Sequence, residues 1–231
     1  MQPAREYSPL RSDLAPLAGR QRPERATARV DLVVLQVDGV VSRLNGLAWL
    51  MERRDAATLT RLAEVHAEAA ESKWSWADTA RARLALLRPR RAEIYELRQA
   101  YLAALVPGAT DAAHRIRRAG IGVALASEVA AESLLGLADA LGVSTSDLRA
   151  PRLRFDALGA YVGCDASDAT APTERAARTH ALLLGTRPSV WLAAGERDEF
   201  ATFTGVVARE GIVPTGDTIG SFAELTERLG V

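Results

Sequence analysis

The sequence predicts an α/β protein with a doubly wound parallel sheet and an inserted block of helices. Short apolar runs alternate with helical segments over most of the chain, and the stretch after the first run is helical throughout. Alternation of this kind is typical of parallel sheets with helices on both faces. Because such sheets bind ligands beyond the carboxyl ends of their strands, the residues that follow strands are the first candidates for a site.

The first predicted strand follows an N-terminal arm. Residues 1–29 contain four prolines and six arginines with little apolar periodicity, which predicts an extended or mobile segment. Residues 30–37 are mostly apolar and rich in valine, and Asp38-Gly39 follows them. This pattern indicates a buried parallel strand that ends in a loop. The pattern is then helical from Leu44 to about Leu105, until Pro107-Gly108 interrupts it.

Strands and helices alternate over the rest of the chain. The predicted elements are a helix over 110–118, a strand over 121–126, a helix over 127–141, strand-like stretches in 151–162 around a turn at Gly159, a helix over 173–184, a strand over 189–194, strand signals near 206–207 and 212–213, and a helix over 221–229. We therefore predict a core of residues 30–44 and 106–231, with residues 45–105 inserted as an all-helical cap. The residues after Val37, Ala126 and Ala194 are expected to converge on one site.

Composition excludes several classes of partner. Hydrophobic residues make up 48% and charged residues 25% of the 231 residues, an ordinary balance for a globular protein. The 29 basic and 29 acidic residues cancel, so we expect neither nucleic acid nor a membrane surface as a partner. The longest apolar stretch, residues 121–143, is broken by three acidic residues and does not predict a membrane span. With one cysteine, Cys164, and no apolar leader, we expect a cytoplasmic protein.

Three predicted strand ends carry a family resemblance. Residues 35–41 (LQVDGVV) resemble the first motif of the haloacid dehalogenase superfamily, Asp-x-Asp-Gly-Thr/Val. Residues 120–127 (GIGVALAS) resemble its second motif, and residues 190–200 (VWLAAGERDEF) resemble its fourth. Four further segments are similar to the phosphoserine phosphatases of that superfamily: residues 80–87, 106–120, 135–143 and 152–163. The resemblance runs from about residue 30 to the C-terminus and implies a haloacid-dehalogenase-like Rossmannoid core with a helical cap.

The resemblance also implies a chemistry for the first two motifs. In the family, the first aspartate attacks phosphorus to form an aspartyl-phosphate, and the second is the general acid and base. Mg²⁺ neutralises the developing charge, and a Ser or Thr and a lysine bind the phosphoryl oxygens. Gln36 stands at the position of the nucleophile, and its neutral amide neither attacks phosphorus nor brings charge to a metal. Asp38 keeps the acid/base position, and Ser127 keeps the hydroxyl.

Other positions of the phosphate site depart from the family pattern. Glu128 stands where the family has glycine, and its carboxylate would repel a phosphate. Counting back from Gly185 places Thr173 at the lysine position. In the fourth motif Glu196 replaces the first aspartate, and Phe200, which cannot bind a metal, replaces the second. We therefore expect the Mg²⁺ site to be lost and no other cofactor to take its place.

The cap residues that hold the amino-acid substrate in phosphoserine phosphatases have changed as well. Asn45 stands at a glutamate position, and Glu71 or Ser72 stands at an arginine position. Trp74 and Trp76 give the mouth of the cap an aromatic character. We expect a small-molecule ligand in the cleft between cap and core, bound by Asn45, Trp74, Trp76, Ser127, Glu128 and Thr173.

Three of these residues also have a purely structural interpretation. The Asp38 carboxylate can bond N–H groups of the loop at the strand end. Ser127 is a favoured cap for the helix predicted to begin there. Glu128 would then be a solvated carboxylate in the first turn of that helix, where the helix dipole favours it.

Three functions remain open. The first is a repurposed enzyme without aspartyl-phosphate chemistry, in which Asp38, with Gln36 and Glu196, acts on a non-phosphorylated small molecule. The second is a non-catalytic pseudophosphatase that serves as a binding or partner protein. The third is a residual Mg²⁺-dependent phosphatase. The sequence leaves open whether the chain forms a homodimer or binds another protein.

Overall fold

A computed structural model describes residues 30, 32–72, 74–166, 181–185, 199–203 and 217–231. Its strands are β1 (Leu32–Gln36), β2 (Gly122–Ala126), β3 (Leu148–Arg149), β4 (Arg152–Phe155), β5 (Tyr161–Asp165), β6 (Ala181–Gly185), β7 (Glu199–Phe203) and β8 (Asp217–Ile219). Its α-helices are α1 (Gly46–Met51), α2 (Ala56–Glu71), α3 (Trp76–Leu87), α4 (Arg91–Ala103), α5 (Ala109–Arg118), α6 (Ala131–Leu141) and α7 (Phe222–Arg228). A short 3₁₀ helix covers Thr145–Asp147.

Six strands form one parallel sheet in the order β3-β2-β1-β6-β7-β8. In the centre, Leu35 of β1 lies opposite Leu125 of β2 on one side and Leu184 of β6 on the other. Strands β4 and β5 form a separate antiparallel hairpin whose turn contains Gly159. The predicted α/β class with a parallel sheet is therefore confirmed.

Strand β1 is buried on both faces, as its run of apolar residues predicts. Val33 and Leu35 belong to the main apolar cluster, while Val34 packs with Ala124 and Ala126 in a smaller cluster. The chain then turns sharply at Gly39, whose φ of 79° lies in the left-handed region that favours glycine. This turn sets the loop that follows β1 at the carboxyl edge of the sheet.

Helices α1 to α4 fill the segment between β1 and β2, where the sequence predicted helices. Leu50 of α1 and Leu97 of α4 are fully buried in the same apolar cluster as the sheet residues. Helix α4 also packs along α6. Helix α2 is different, because Leu62 is its one buried residue and its main neighbour is α3. The boundary between core and cap stays a prediction.

Two predicted elements are wrong in type or extent. Residues 181–184, predicted as the end of a helix, form strand β6 beside β1. The apolar run Ala-Leu-Leu-Leu-Gly fits a buried strand as well as a helix, because periodicity does not separate the two in so short a run. Helix α6 begins at Ala131 rather than at Ser127.

Several predictions fall outside the described residues. They are the arm of residues 1–29, the helix over 173–180, the strand over 189–194 and the strand signals near 206–207 and 212–213. Strands β7 and β8 lie at positions where the sequence did not predict strands. None of the described helices combines the length and the apolar character that crossing a bilayer requires.

Candidate functional site

Asp38 follows β1 and is the centre of a buried hydrogen-bond cluster. The residue is only 8% exposed. Its Oδ1 accepts the N–H of Gly46 at 2.7 Å and the hydroxyl of Tyr101 at 2.7 Å. Its Oδ2 accepts the hydroxyl of Ser127 at 2.8 Å. One carboxyl group therefore joins the loop after β1 to α1, to α4 and to the end of β2.

Burial raises the pKa of the two titratable side chains in this cluster, Asp38 and Tyr101. Burial raises the pKa of Asp38, although the hydrogen bonds from Gly46, Tyr101 and Ser127 oppose that rise. The charge of Glu128 raises the pKa of Asp38 further. Burial, and then the charge of Asp38, raise the pKa of Tyr101 well above its usual value. The Tyr101 hydroxyl therefore keeps its proton and acts as a donor.

Tyr101 and Gly46 complete the cluster and were not predicted. The Tyr101 side chain is fully buried, and a Cβ placed on Gly46 would lie 2.0 Å from its hydroxyl oxygen. Only glycine therefore leaves room for this hydroxyl. Ser42, also fully buried, donates its hydroxyl to the backbone oxygen of Tyr101 at 3.2 Å, which ties α4 to the loop after β1. A tyrosine in a helical block signals a hydroxyl that needs a partner, but the partner lies 63 residues away in the sequence.

Gln36 and Ser127 lie at the ends of neighbouring strands. Gln36 is the last residue of β1, is half-buried, and is paired with Ala126 of β2. Ser127 is 4% exposed. It does not cap α6, because that helix begins four residues later with Ala130 as its capping residue. Its Oγ instead accepts the N–H of Val129 at 3.3 Å while its hydroxyl donates to Asp38.

Glu128 forms an ion pair with the helical segment. Its Oε2 accepts Nη1 of Arg83, from α3, at 2.7 Å. The two side chains are 31% and 12% exposed, respectively, and Nη2 of Arg83 also contacts Nδ1 of His66 at 2.6 Å. The interpretation of Glu128 as a solvated carboxylate in the first turn of α6 is therefore wrong, because the residue precedes the helix and has a cationic partner.

The remaining predicted ligand-binding residues lie at helix ends or outside the described residues. Asn45 caps α1, since its Oδ1 accepts the N–H of Ala48 at 2.9 Å. Trp74 is half-buried in the turn between α2 and α3, and Trp76 is the first residue of α3. Thr173 and Glu196 lie outside the described residues, as does Ala194, the predicted strand end. On the side away from β2, the neighbour of β1 is β6, which ends at Gly185.

The described residues around Asp38 do not fit Mg²⁺, the metal that the family resemblance implies. Mg²⁺ prefers oxygen ligands that can turn their lone pairs toward it. Oδ1 of Asp38 accepts two donors and Oδ2 accepts the Ser127 hydroxyl, Gln36 is neutral, and Glu128 is paired with Arg83. In the part of the chain that the structure describes, no three His, Cys, Asp or Glu residues are grouped to hold a metal ion. The absence of a cofactor stays a prediction.

Comparison of the sequence with models of protein families and with curated proteins gives no match. The fold is similar to that of several solved structures. A phosphoserine phosphohydrolase-like protein from Francisella tularensis subsp. tularensis SCHU S4 superposes with a TM-score of 0.69 at 17% identity, over 85% of this chain and 98% of that one. Phosphoserine phosphatase from T. onnurineus gives 0.61 at 17% identity, over 91% and 98%. A substrate-bound phosphoserine phosphatase gives 0.55 at 14% identity, over 76% and 87%. The chain therefore has the same α/β fold as these phosphoserine phosphatases and the phosphoserine phosphohydrolase-like protein.

Proposed function

We propose that this chain has lost aspartyl-phosphate chemistry and uses Asp38 as a general acid and base on a small, non-phosphorylated substrate in the cleft between cap and core. The observation that carries the proposal is the buried Asp38 carboxyl in contact with the hydroxyls of Tyr101 and Ser127. Gln36 and Glu196 complete the proposed set of acting residues. The lone Cys164 fits a reducing compartment, so we propose the cytoplasm as the location.

The residues at the ends of β1 and β2 do not suit phosphoryl transfer. Gln36 occupies the position from which a carboxylate would attack phosphorus, and an amide is not a nucleophile of comparable strength. Glu128 would bring a carboxylate close to a bound phosphate dianion, because its charge already acts on Asp38. An enzyme can compensate for the loss of one catalytic residue more easily than for two defects at once. Here the nucleophile is missing and a negative charge lies where the phosphate dianion would bind.

Asp38 and its hydroxyl neighbours suit general acid and base catalysis. Carboxyl groups whose pKa is raised by burial hold a proton closer to neutral pH, which is what general acid catalysis needs. A serine hydroxyl both donates and accepts hydrogen bonds, so Ser127 can pass a proton to or from Asp38. General acid and base catalysis requires only a positioned carboxyl group and limited access of water.

The loss of phosphatase activity is tested with a generic aryl phosphate and Mg²⁺. We expect no turnover by the wild-type protein. We also expect none after Gln36→Asp, because the lysine and the second metal carboxylate of the family remain missing. Turnover that Asp38→Asn abolishes would show a residual Mg²⁺-dependent phosphatase instead and would contradict the proposal.

The acid/base role is tested by a thermal-shift screen of small non-phosphorylated metabolites. Each compound that stabilises the protein is then incubated with it and analysed by mass spectrometry. We expect conversion of at least one ligand by the wild type and by Asp78→Asn, a control at an exposed acid in α3. Asp38→Asn should still bind that ligand without converting it. Ligands that bind and always return unchanged would exclude the enzyme.

A second function, a non-catalytic pseudophosphatase, is favoured by one specific observation. Asp38 is 8% exposed and both of its carboxyl oxygens accept internal donors, as those of a purely structural carboxyl group would. In that case the fold presents a binding surface to a ligand, to a second copy of the chain or to another protein. Light scattering on the purified protein distinguishes a monomer from a homodimer.

A further inference from the structure

We infer that Tyr101 is the positioning residue of this site: its hydroxyl fixes Oδ1 of Asp38 and leaves Oδ2 as the oxygen that exchanges the proton. The inference rests on the proposed acid/base role of Asp38 and names the residue that gives its two oxygens different tasks.

The geometry separates the two oxygens. Oδ1 receives two donors, the N–H of Gly46 and the hydroxyl of Tyr101, each at 2.7 Å. A carboxylate oxygen offers two lone pairs, so these donors saturate Oδ1. Oδ2 receives the hydroxyl of Ser127 at 2.8 Å. A proton that reaches this carboxyl group therefore has its place on Oδ2.

The donors on the two oxygens also differ in what they can do. A backbone N–H only donates, and the buried Tyr101 hydroxyl keeps its proton as a donor beside the carboxylate. The Ser127 hydroxyl can rotate and accept. When Oδ2 takes the Ser127 proton, the Ser127 oxygen takes a proton from the substrate, so the hydroxyl is regenerated and the substrate has lost one proton to Asp38. The hydrogen bonds on Oδ1 are unchanged throughout.

The chain makes room for this arrangement at Gly46. A Cβ on Gly46 would lie 2.0 Å from the Tyr101 hydroxyl oxygen and 2.8 Å from the ring carbon that bears it. The same residue thus supplies one donor to Oδ1 and the space for the other. Tyr101 is held in place independently, since its backbone oxygen accepts the Ser42 hydroxyl at 3.2 Å.

Among the described residues, three parts of the chain place groups against the Asp38 carboxyl group: α1, α4 and the residues after β2. Helix α1 contributes the Gly46 N–H, and α4 contributes the Tyr101 hydroxyl. The residues after β2 contribute the Ser127 hydroxyl and the charge of Glu128, which is paired with Arg83 of α3. Among these groups, Tyr101 is the side chain whose hydroxyl can be removed with the ring kept in place.

The test follows the Asp38 carboxyl carbon by ¹³C NMR across pH, with its signal assigned by its absence in Asp38→Asn. Tyr101→Phe removes a donor from the charged form, so we expect the titration midpoint of Asp38 to rise by about one pH unit. Tyr95→Phe is the matched control, because Tyr95 is on the same helix and is 63% exposed. It should leave the midpoint unchanged.

A second measurement needs no variant. In the wild-type protein the ¹³Cζ signal of Tyr101 should shift at the same pH as the Asp38 carboxyl carbon, because the two groups share a hydrogen bond. An Asp38 midpoint that stays or falls in Tyr101→Phe, a Tyr101 signal without that step, or an Asp38 signal that does not titrate would each overturn the inference. If the metabolite screen finds no substrate while these shifts are seen, the proposed function fails and the positioning by Tyr101 stands.

Discussion

At Asp38 the chain buries a carboxyl group whose hydrogen-bond donors are all neutral: one amide and two hydroxyls. Burying a charge is costly unless a partner compensates it. An asparagine could keep the same three partners with one bond reversed, since its oxygen could accept from Gly46 and Tyr101 and its amide could donate to the Ser127 hydroxyl, which now donates. Structure alone therefore does not require an acid here. Residues kept at a cost in stability are typical of functional sites.

This cost leads to a prediction for Asp38→Asn. Because the pKa of Asp38 is raised in the folded state, its contribution to stability is complete below the unfolded value of about 3.9 and is lost as pH rises through the folded value. The variant does not titrate, so we expect it to be the more stable protein at about pH 8, by on the order of 1 kcal/mol. Urea unfolding of both proteins from about pH 4 to about pH 8 measures the difference. A variant that is less stable at the upper end would contradict this account.

Gly46 lies so close to Tyr101 that a larger residue at this position should destabilise the protein. Gly46→Ala would place a Cβ 2.0 Å from the Tyr101 hydroxyl oxygen and 3.2 Å from a methyl carbon of Val129. We expect a loss of about 1–3 kcal/mol in the free energy of unfolding, the usual cost of overpacking. Tyr101→Phe removes the closest atom, so the same glycine substitution should cost less in that background. Strictly additive effects in a double-mutant cycle would show that the two residues do not compete for this space.

Among helices α1 to α4, α2 buries the fewest residues, and its main neighbour is α3. Leu62 is the one buried residue of α2, whereas α4 buries Ile94, Leu97 and Tyr101. The ion pair of Arg83 with Glu128 ties α3 to the loop after β2, and its two side chains are 12% and 31% exposed. The same arginine also contacts His66 of α2, so the ion pair holds in place a side chain that joins both helices.

We accordingly predict that Arg83→Gln lowers the free energy of unfolding by about 1 kcal/mol, at the upper end for partly exposed pairs. It should also speed hydrogen exchange in α2 and α3. Arg81→Gln is the control, because Arg81 pairs with Asp78 within α3 and both side chains are more than half exposed. This control should change stability by a few tenths of a kcal/mol at most. Equal effects of the two substitutions would rule out a special role for Arg83.

The sequence predicted the helices and the strands β1, β2, β4 and β5, but it misjudged β6 and the start of α6 and did not predict β3, β7 or β8. The run over 181–185 forms β6 because a short apolar stretch takes its conformation from its neighbours, here the central strand β1. Ser127 is a good capping residue, yet helix α6 starts at Ala131, and the Ser127 hydroxyl donates a hydrogen bond to Asp38 instead. In both cases a tertiary contact replaced the local preference.

For the whole molecule, the apolar core is continuous between the helical insertion and the sheet. Leu50 of α1 and Leu97 of α4 share one cluster with Leu35 of β1, Leu125 of β2 and Leu134 of α6. We therefore predict one cooperative thermal unfolding transition, with equal calorimetric and van't Hoff enthalpies. Two separate transitions would mean that the insertion unfolds as an independent unit.

The amino-acid sequence alone determined the α/β class, the helical insertion and the placement of Gln36, Asp38 and Ser127 at strand ends. It could do so because periodicity and strand-end motifs are local and the carboxyl ends of parallel strands share one edge. Tertiary structure alone decided that Tyr101 donates to Asp38 across 63 residues and that Arg83 pairs with Glu128 across 45. These partners meet because helices pack on the sheet at particular angles, and no local pattern records which side chains that packing brings together.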